Sequence, residues 1–218
     1  MDLNILNPDI QEFINKNIGT TIAKLALQKS PFPEMEWISI LNQIEAKSKS
    51  KEKLPNWFEA LNILFPSKIS VEQTSSEKTA SYKSEIVSGK KLIDLTGGFG
   101  VDDFYFAKKM ENVVHCEINS ELSQIVKHNF EQLQVKNISY HSGDSLEILA
   151  QLNSTYDWIY IDPSRRNDAK GKVFMLKDCL PNVPEHLDFL FRFSNNILIK
   201  TAPLLDISAG LSELKNVK

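Results

Sequence analysis

Two cysteines, Cys116 and Cys179, are all that the 218 residues contain, too few and too far apart for a disulfide framework or a zinc site. The four histidines have no ligand spacing, so no metal is expected, and His115 and His141 read as packed strand positions. No apolar run approaches the ~20 residues of a membrane span. The amino terminus, MDLNILNPDIQEF, lacks the basic start and apolar core of a signal peptide. An excess of positive charge is missing too: 25 Lys and Arg against 28 Asp and Glu give a net charge of −3, unlike a dedicated nucleic-acid binder. Internal repeats and long low-complexity segments are absent. These absences predict a reduced, cytoplasmic, globular protein with no membrane partner. Hydrophobic residues make up 42% of the chain, enough for one domain with a core of its own plus an appendage.

Glycine is also sparse, with eight in the chain, yet Gly97, Gly98 and Gly100 fall together in LIDLTGGFGVDDF, Leu92 to Phe104. An apolar run carrying Asp94 and Thr96 breaks there into a turn where the absence of Cβ atoms admits a nucleoside close to the backbone. A dinucleotide fingerprint needs a third glycine three positions after Gly100 and leads a pyrophosphate onto a helix N-terminus. Here Phe99 separates Gly98 from Gly100, and Val101, Asp102 and Asp103 follow. Two carboxylates at the helix mouth repel a pyrophosphate and tolerate a ligand carrying a sulfonium and an ammonium. The pattern D-x-T-G-G-x-G resembles motif I of the class I S-adenosylmethionine (SAM) methyltransferases. That resemblance assigns Asp94, Thr96, Gly97, Gly98, Phe99 and Gly100 to the cofactor.

Later segments fall at fitting distances. Phe104 to Met110 reads as a short helix. Asn112 to Glu117 reads as a buried strand whose terminal acid, roughly 20 residues beyond the glycines, suits the two ribose hydroxyls; NAD enzymes place an acid here as well. Leu122 to Leu133 has helical spacing, and Ile138 to His141 is a third strand opening into Ser142-Gly143-Asp144-Ser145. By resemblance, Asp144 and the Ser145 amide would meet the adenine ring. Asp144 is equally suited to cap a helix over Ser145 to Leu152, and both roles can hold at once.

A fourth strand, Asp157 to Ile161, ends in Asp162-Pro163-Ser164-Arg165-Arg166. Strand ends of this kind are where ligands bind in an open parallel sheet. The turn resembles motif IV, the Asn/Asp-Pro-Pro-aromatic box of methyltransferases acting on exocyclic amines, in which the acceptors position the target. Two departures stand out: Ser164 replaces the second proline, and Arg165 replaces the aromatic ring. A guanidinium can stack on a base and contact phosphate, so Asp162, Pro163 and Arg165 are the candidate catalytic residues. Uracil-C5 methyltransferases carry a similar Asp-Pro-Pro-Arg with a nucleophilic cysteine. Cys179, expected on the following loop, has nothing beside it in sequence to activate it. Arg165, Arg166, Lys170, Lys172 and Lys177, opposed only by Asp168 and Asp178, make this mouth basic on an acidic chain.

The fifth strand is Asn196 to Lys200, and one more helix is expected over Ile207 to Leu214. The predicted fold class is therefore α/β, a Rossmann-like doubly wound parallel sheet. A complete class I core has two further strands, so the chain is expected to be cut short of a whole sheet, since an uncovered strand leaves an exposed edge. SVEQTSSEKTASYKSEIVSGKKLIDLTGGFGVDDF and YIDPSRRN together resemble the uncharacterised bacterial class I SAM methyltransferases with a carboxy-terminal THUMP-like domain. The resemblance covers Leu54 to Pro203. It implies SAM as cofactor and RNA as partner, contacted through a THUMP-like part for which no residues remain here.

Residues 1–70 read as a small helical domain, and 71–218 as the methyltransferase core. Helical spacing runs through Ile10 to Ala26, Trp37 to Ile44 and Trp57 to Phe65. Pro31 and Pro33 separate the first two stretches, and Lys47 to Lys53 is a solvated turn before the third. Thr74 and Glu77 have capping-box spacing for a helix through Ile86. Gln73 and Ser76, in the polar cluster ahead of motif I, are candidates to close over the methionine end of SAM. The resulting expectation is a SAM-dependent methyltransferase acting on RNA bases. Its alternatives are a non-catalytic SAM-fold module, and a methyltransferase acting on protein or a small molecule. A nucleotide-dependent oxidoreductase is disfavoured by the missing third glycine.

Overall fold

The computed structural model describes residues 3–165, 175–203 and 205–217. An amino-terminal helical segment contains α1 (Pro8–Lys16), α2 (Ile22–Ala26), α3 (Trp37–Lys53), α4 (Pro55–Glu59) and α5 (Lys68–Gln73). The α/β unit follows as α6 (Glu77–Ile86), β1 (Lys91–Asp94), α7 (Val101–Phe106), β2 (Asn112–Glu117), α8 (Ser120–Gln132), β3 (Ile138–Ser142), α9 (Ser145–Leu152) and β4 (Trp158–Ile161). A short hairpin, β5 (Ser164–Arg165) with β6 (Cys179–Leu180), precedes α10 (Val183–Leu190), β7 (Ile197–Ile199) and α11 (Ile207–Glu213).

The sheet has the order β3-β2-β1-β4-β7 and every pairing in it is parallel. Strand order reverses between β1 and β4, so the connections leaving these strands diverge and open a crevice at their carboxyl ends. Both faces are covered. Ile93, Ile159 and Ile161 pack beneath α9 and α10 with Leu149, Leu187 and Leu190. Leu92, Val113 and Tyr160, one step out of phase, face Phe106 and Met110.

The helical segment shares a core with this unit. Trp57 is fully buried with its ring centroid 4.8 Å from that of Phe104, and Leu54, Phe65 and Val71 join Phe99, Val101 and Phe130. Asn129 of α8 brackets the Leu64 backbone, accepting from its N–H and donating to its carbonyl, each at 2.8 Å.

Several local expectations are corrected. Ile10 to Ala26 splits into two helices around Gly19, which has φ +82°. Lys47 to Lys53 is the last two turns of α3, because Lys47 is buried and reaches Asn15 Oδ1 at 2.8 Å. The stretch from Trp57 to Phe65 stays helical only to Glu59, and Asn62 takes φ +58°. The cap of α6 is Ser76, which accepts from Thr79 N–H at 3.2 Å, and Glu77 turns instead to the Asn56 N–H at 2.7 Å. The helix after the glycines begins at Val101, three residues earlier than its apolar pattern suggests, since Gly100 at φ +76° already starts it. Cys179 lies in β6 and is buried. No helix among the described residues is long and apolar enough to cross a membrane.

Candidate functional site

A cleft of about 850 Å³ opens at the carboxyl ends of the strands. Its floor is the β1–α7 loop, and its walls come from the ends of β2, β3, β4 and β7, with α5 and α10 at the sides. Of the residues singled out in the sequence, Gln73, Thr96, Gly97, Gly98, Phe99, Glu117, Asp144, Ser145, Asp162 and Pro163 line it. Asp94, Gly100 and Ser76 do not.

The three glycines serve three different purposes. A Cβ on Gly97 would stand 2.2 Å from His115 Cε1, so this position is demanded by the imidazole packed beneath it. On Gly100, with φ +76°, a Cβ would meet Phe130 Cζ and Val126 Cγ1 at 2.8 Å, which fixes how closely α8 approaches. Gly98 has φ +54° and nothing nearer to its missing Cβ than Thr96 O at 3.7 Å. Of the three, Gly98 alone has open space where its Cβ would stand, whereas Gly97 and Gly100 are required by packing against His115 and α8, a reason the sequence argument from close ligand approach does not supply.

The loop is tied to its neighbours through side chains. Asp94 Oδ1 accepts from the Thr96 N–H at 2.7 Å and from its hydroxyl at 3.1 Å. Thr96 Oγ1 in turn accepts from the Asp162 N–H at 2.7 Å, so one threonine joins the glycine loop to the Asp-Pro turn. Glu117 Oε2 accepts from the Gly98 N–H and Oε1 from the Asn119 N–H, both at 2.8 Å. Each oxygen of this cleft-lining carboxylate keeps further capacity to accept. Asp144 Oδ1 caps α9 through the Leu146 and Glu147 N–H groups at 2.9 and 3.1 Å.

The two carboxylates at the helix mouth have separate environments. Asp103 points away from the cleft, fully buried and 2.6 Å from His115 Nδ1. Burial pushes the Asp94 and Asp103 carboxyls well above the usual carboxylate range and pushes His115 down. Asp102 lines the cleft. Its Oδ2 accepts from Lys83 Nζ at 2.6 Å, Tyr160 Oη at 2.9 Å and Ser75 Oγ at 3.0 Å. Its Oδ1 is buried with no hydrogen-bond partner.

At the Asp-Pro turn, Lys200 Nζ lies 2.9 Å from Asp162 Oδ2. Burial raises the Asp162 carboxyl above its ordinary value, and the Lys200 hydrogen bond opposes that rise. Arg165 contributes its backbone to β5, while Arg166, Lys170 and Lys172 of the expected basic mouth lie outside the described residues. Cys179 Sγ donates to Met175 O at 3.7 Å and does not line the cleft.

Sequence reasoning missed Lys83, Tyr160, Ser75 and Lys200. Tyr160 carried a readable signal, since a hydroxyl on an otherwise apolar buried strand requires a partner. So did Lys200, a charge directly after an apolar strand whose end faces the ligand side.

No family model matches the chain. An uncharacterized RNA methyltransferase of Prochlorococcus marinus is 24% identical over 200 residues, covering 79% of this chain and 48% of that protein. Among solved structures, a candidate methyltransferase from Porphyromonas gingivalis W83 superposes with a TM-score of 0.78 at 29% identity, over 94% of this chain and 51% of the other. A second candidate methyltransferase, solved with S-adenosylhomocysteine (SAH), matches at a TM-score of 0.50 and 14% identity, over 65% of this chain and 40% of the other; that likeness is one of fold. The chain spans about half the length of the relatives it matches.

Proposed function

We propose that the chain is the cofactor-binding and catalytic half of a SAM-dependent methyltransferase that acts on RNA. One observation carries the reading: the cleft lining combines the open Gly98 with Asp102, whose carboxylate keeps one buried oxygen without a hydrogen-bond partner. An anionic oxygen there suits a cationic amino group and opposes the pyrophosphate of a dinucleotide.

The remaining lining fits the same ligand. Gly98 lets the methionine portion approach the backbone, the lone pairs of Glu117 suit the ribose hydroxyls, and Asp144 and Ser145 border the adenine end. Gln73 from α5 is available to cover the methionine end, whereas the Ser76 hydroxyl is committed to its helix cap. Bound there, SAM supplies a methyl group on a sulfonium leaving group, chemistry that depends chiefly on positioning. Asp162, Pro163 and Arg165 then present the acceptor. Thr96 fixes the Asp162 backbone relative to Gly98, so the two ends of the reaction are set by one side chain. RNA as substrate is supported by the description of the Prochlorococcus relative and by the run of basic residues after Asp162. A reduced cytoplasmic setting suits two buried thiols outside any disulfide.

Calorimetric titration with SAM and SAH, using NADH as control, tests the reading. Binding of the first two, abolished in Gly98→Arg, supports it. Binding of NADH in preference to SAM would overturn it.

A further inference from the structure

Resting on that reading, we infer that the Asp162–Lys200 pair selects and activates a lactam, a ring N–H beside a carbonyl as in guanine or uracil, rather than an exocyclic amine. Both side chains line the cleft, with Nζ and Oδ2 2.9 Å apart. Asp162 Oδ1 has no hydrogen-bond partner among the described residues. The pair therefore presents one acceptor and one cationic donor side by side.

Chemistry separates the possible targets. An exocyclic amine beside a ring nitrogen would also fit a donor and an acceptor. There, however, Lys200 would donate to the ring nitrogen and withdraw the electron density that the amine needs for attack. With a lactam the same ammonium donates to the carbonyl oxygen, where negative charge collects as the ring N–H is lost. Attack from a pyrimidine C5 needs a thiol nucleophile at the ring, and Cys179 is buried outside the cleft.

The step balances with a methyl sulfonium as co-reactant. The ring N–H bond breaks and its proton passes to Asp162 Oδ1. The nitrogen electron pair forms the bond to the methyl carbon, and the carbon–sulfur bond breaks with its pair leaving on a neutral thioether. Burial raises the Asp162 carboxyl and makes it the stronger base. Lys53, reaching across from α3 to the carbonyls of Val71 and Glu72, has its pKa lowered by burial and then by the charge of Lys200.

The test incubates the full chain and SAM with unmodified RNA transcripts and locates the methyl group by nucleoside mass spectrometry. Methyl should appear on a ring nitrogen of guanine or uracil at least about tenfold faster than on any exocyclic amine, because only the lactam gains from an ammonium at the atom where negative charge collects. Lys200→Met should lower that rate at least about tenfold and leave SAH affinity within about twofold. Methyl on an exocyclic amine, no transfer to any base, or a rate that survives Lys200→Met would overturn the inference. Failure to bind SAH would instead overturn the proposed function. A second readout uses the same transcripts. The loss of rate in Asp162→Asn should shrink about tenfold per pH unit as the substrate ionises without its base, whereas a loss constant with pH would refute proton transfer to Asp162.

Discussion

Replacing Lys83 with methionine isolates the buried charge pair beneath the glycine loop. The side chains of Lys83 and Asp102 are 6% and 12% exposed, with Nζ 2.6 Å from Oδ2. Water cannot substitute for the lost ammonium at that depth, so Lys83→Met leaves a buried carboxylate held only by Ser75 and Tyr160. Removing one partner from such a pair costs about 3–5 kcal/mol, a large share of the 5–15 kcal/mol typical of a domain. Replacing both partners, as in Lys83→Met with Asp102→Leu, removes the orphaned charge and should recover most of that stability. Urea unfolding of the wild type, both single variants and the double variant gives the coupling directly. The expected coupling exceeds about 2 kcal/mol, and the recovered double variant should still fail to bind SAM because its anionic oxygen is gone. A coupling below about 0.5 kcal/mol, the level of independent sites, would refute the claim that the two charges stabilise one another. Retained SAM affinity in the double variant would refute the role of Asp102 at the cofactor.

Three further outcomes follow from the same geometry. Gly97→Ala forces a Cβ to within 2.2 Å of His115 and should destabilise the fold, whereas Gly98→Ala has open space and only its φ of +54° to bear, about 1–2 kcal/mol; comparing urea midpoints with SAM titrations should show the first losing stability and the second mainly losing affinity. Asp94 and Asp103 have folded pKa values raised above an ordinary 3.8, so the stability they contribute is present below that value and is lost as pH rises through the folded values. Urea midpoints measured upward from pH 4 should fall more steeply in the wild type than in Asp103→Asn, and parallel slopes would count against the buried carboxyl pair. Cys179→Ala should leave methyl transfer to RNA intact by mass spectrometry, since its thiol lies outside the cleft; complete loss of transfer in a folded variant would restore a thiol nucleophile.

The strands and the ligand loop were legible because their signals are local. A parallel strand buried on both faces is a short apolar run, so β2 and α9 were placed at their observed ends, and β4 and β7 within a residue. Glu117 and Asp162 were legible as acids at strand ends, and both line the cleft. Helix limits in the amino-terminal segment were not, because Gly19 and Asn62 interrupt patterns whose periodicity continues across them. The polar network was hidden for another reason. Lys83, Ser75, Asp102 and Tyr160 are separated by up to 85 positions of chain, and only the packing of α6 against α7 and β4 gathers them. Charged residues in a polar helix such as α6 read as solvated until a burying neighbour is known.

Thr96 explains why the glycine loop and the Asp-Pro turn occur at the ends of adjacent strands. β1 and β4 pair directly, with Asp94 opposite Tyr160. That register sets Thr96 one hydrogen bond from Asp162 and sets Tyr160 beneath Asp102. A one-residue slip would reverse every side chain on β4, turning Tyr160 toward α10 and leaving Asp102 to Lys83 and Ser75. Both halves of the cleft therefore depend on one strand pairing, the glycine-loop side through Tyr160 and the Asp-Pro side through Thr96. Thr96→Val keeps the shape of the side chain and removes the oxygen, so the Asp162 N–H loses its acceptor and Asp94 loses one donor. Each unmet group costs about 1–3 kcal/mol. If the coupling is real, methyl transfer should fall further than SAM affinity, since the displaced element is the acceptor turn. An equal loss of both would mean that Thr96 supports the glycine loop alone.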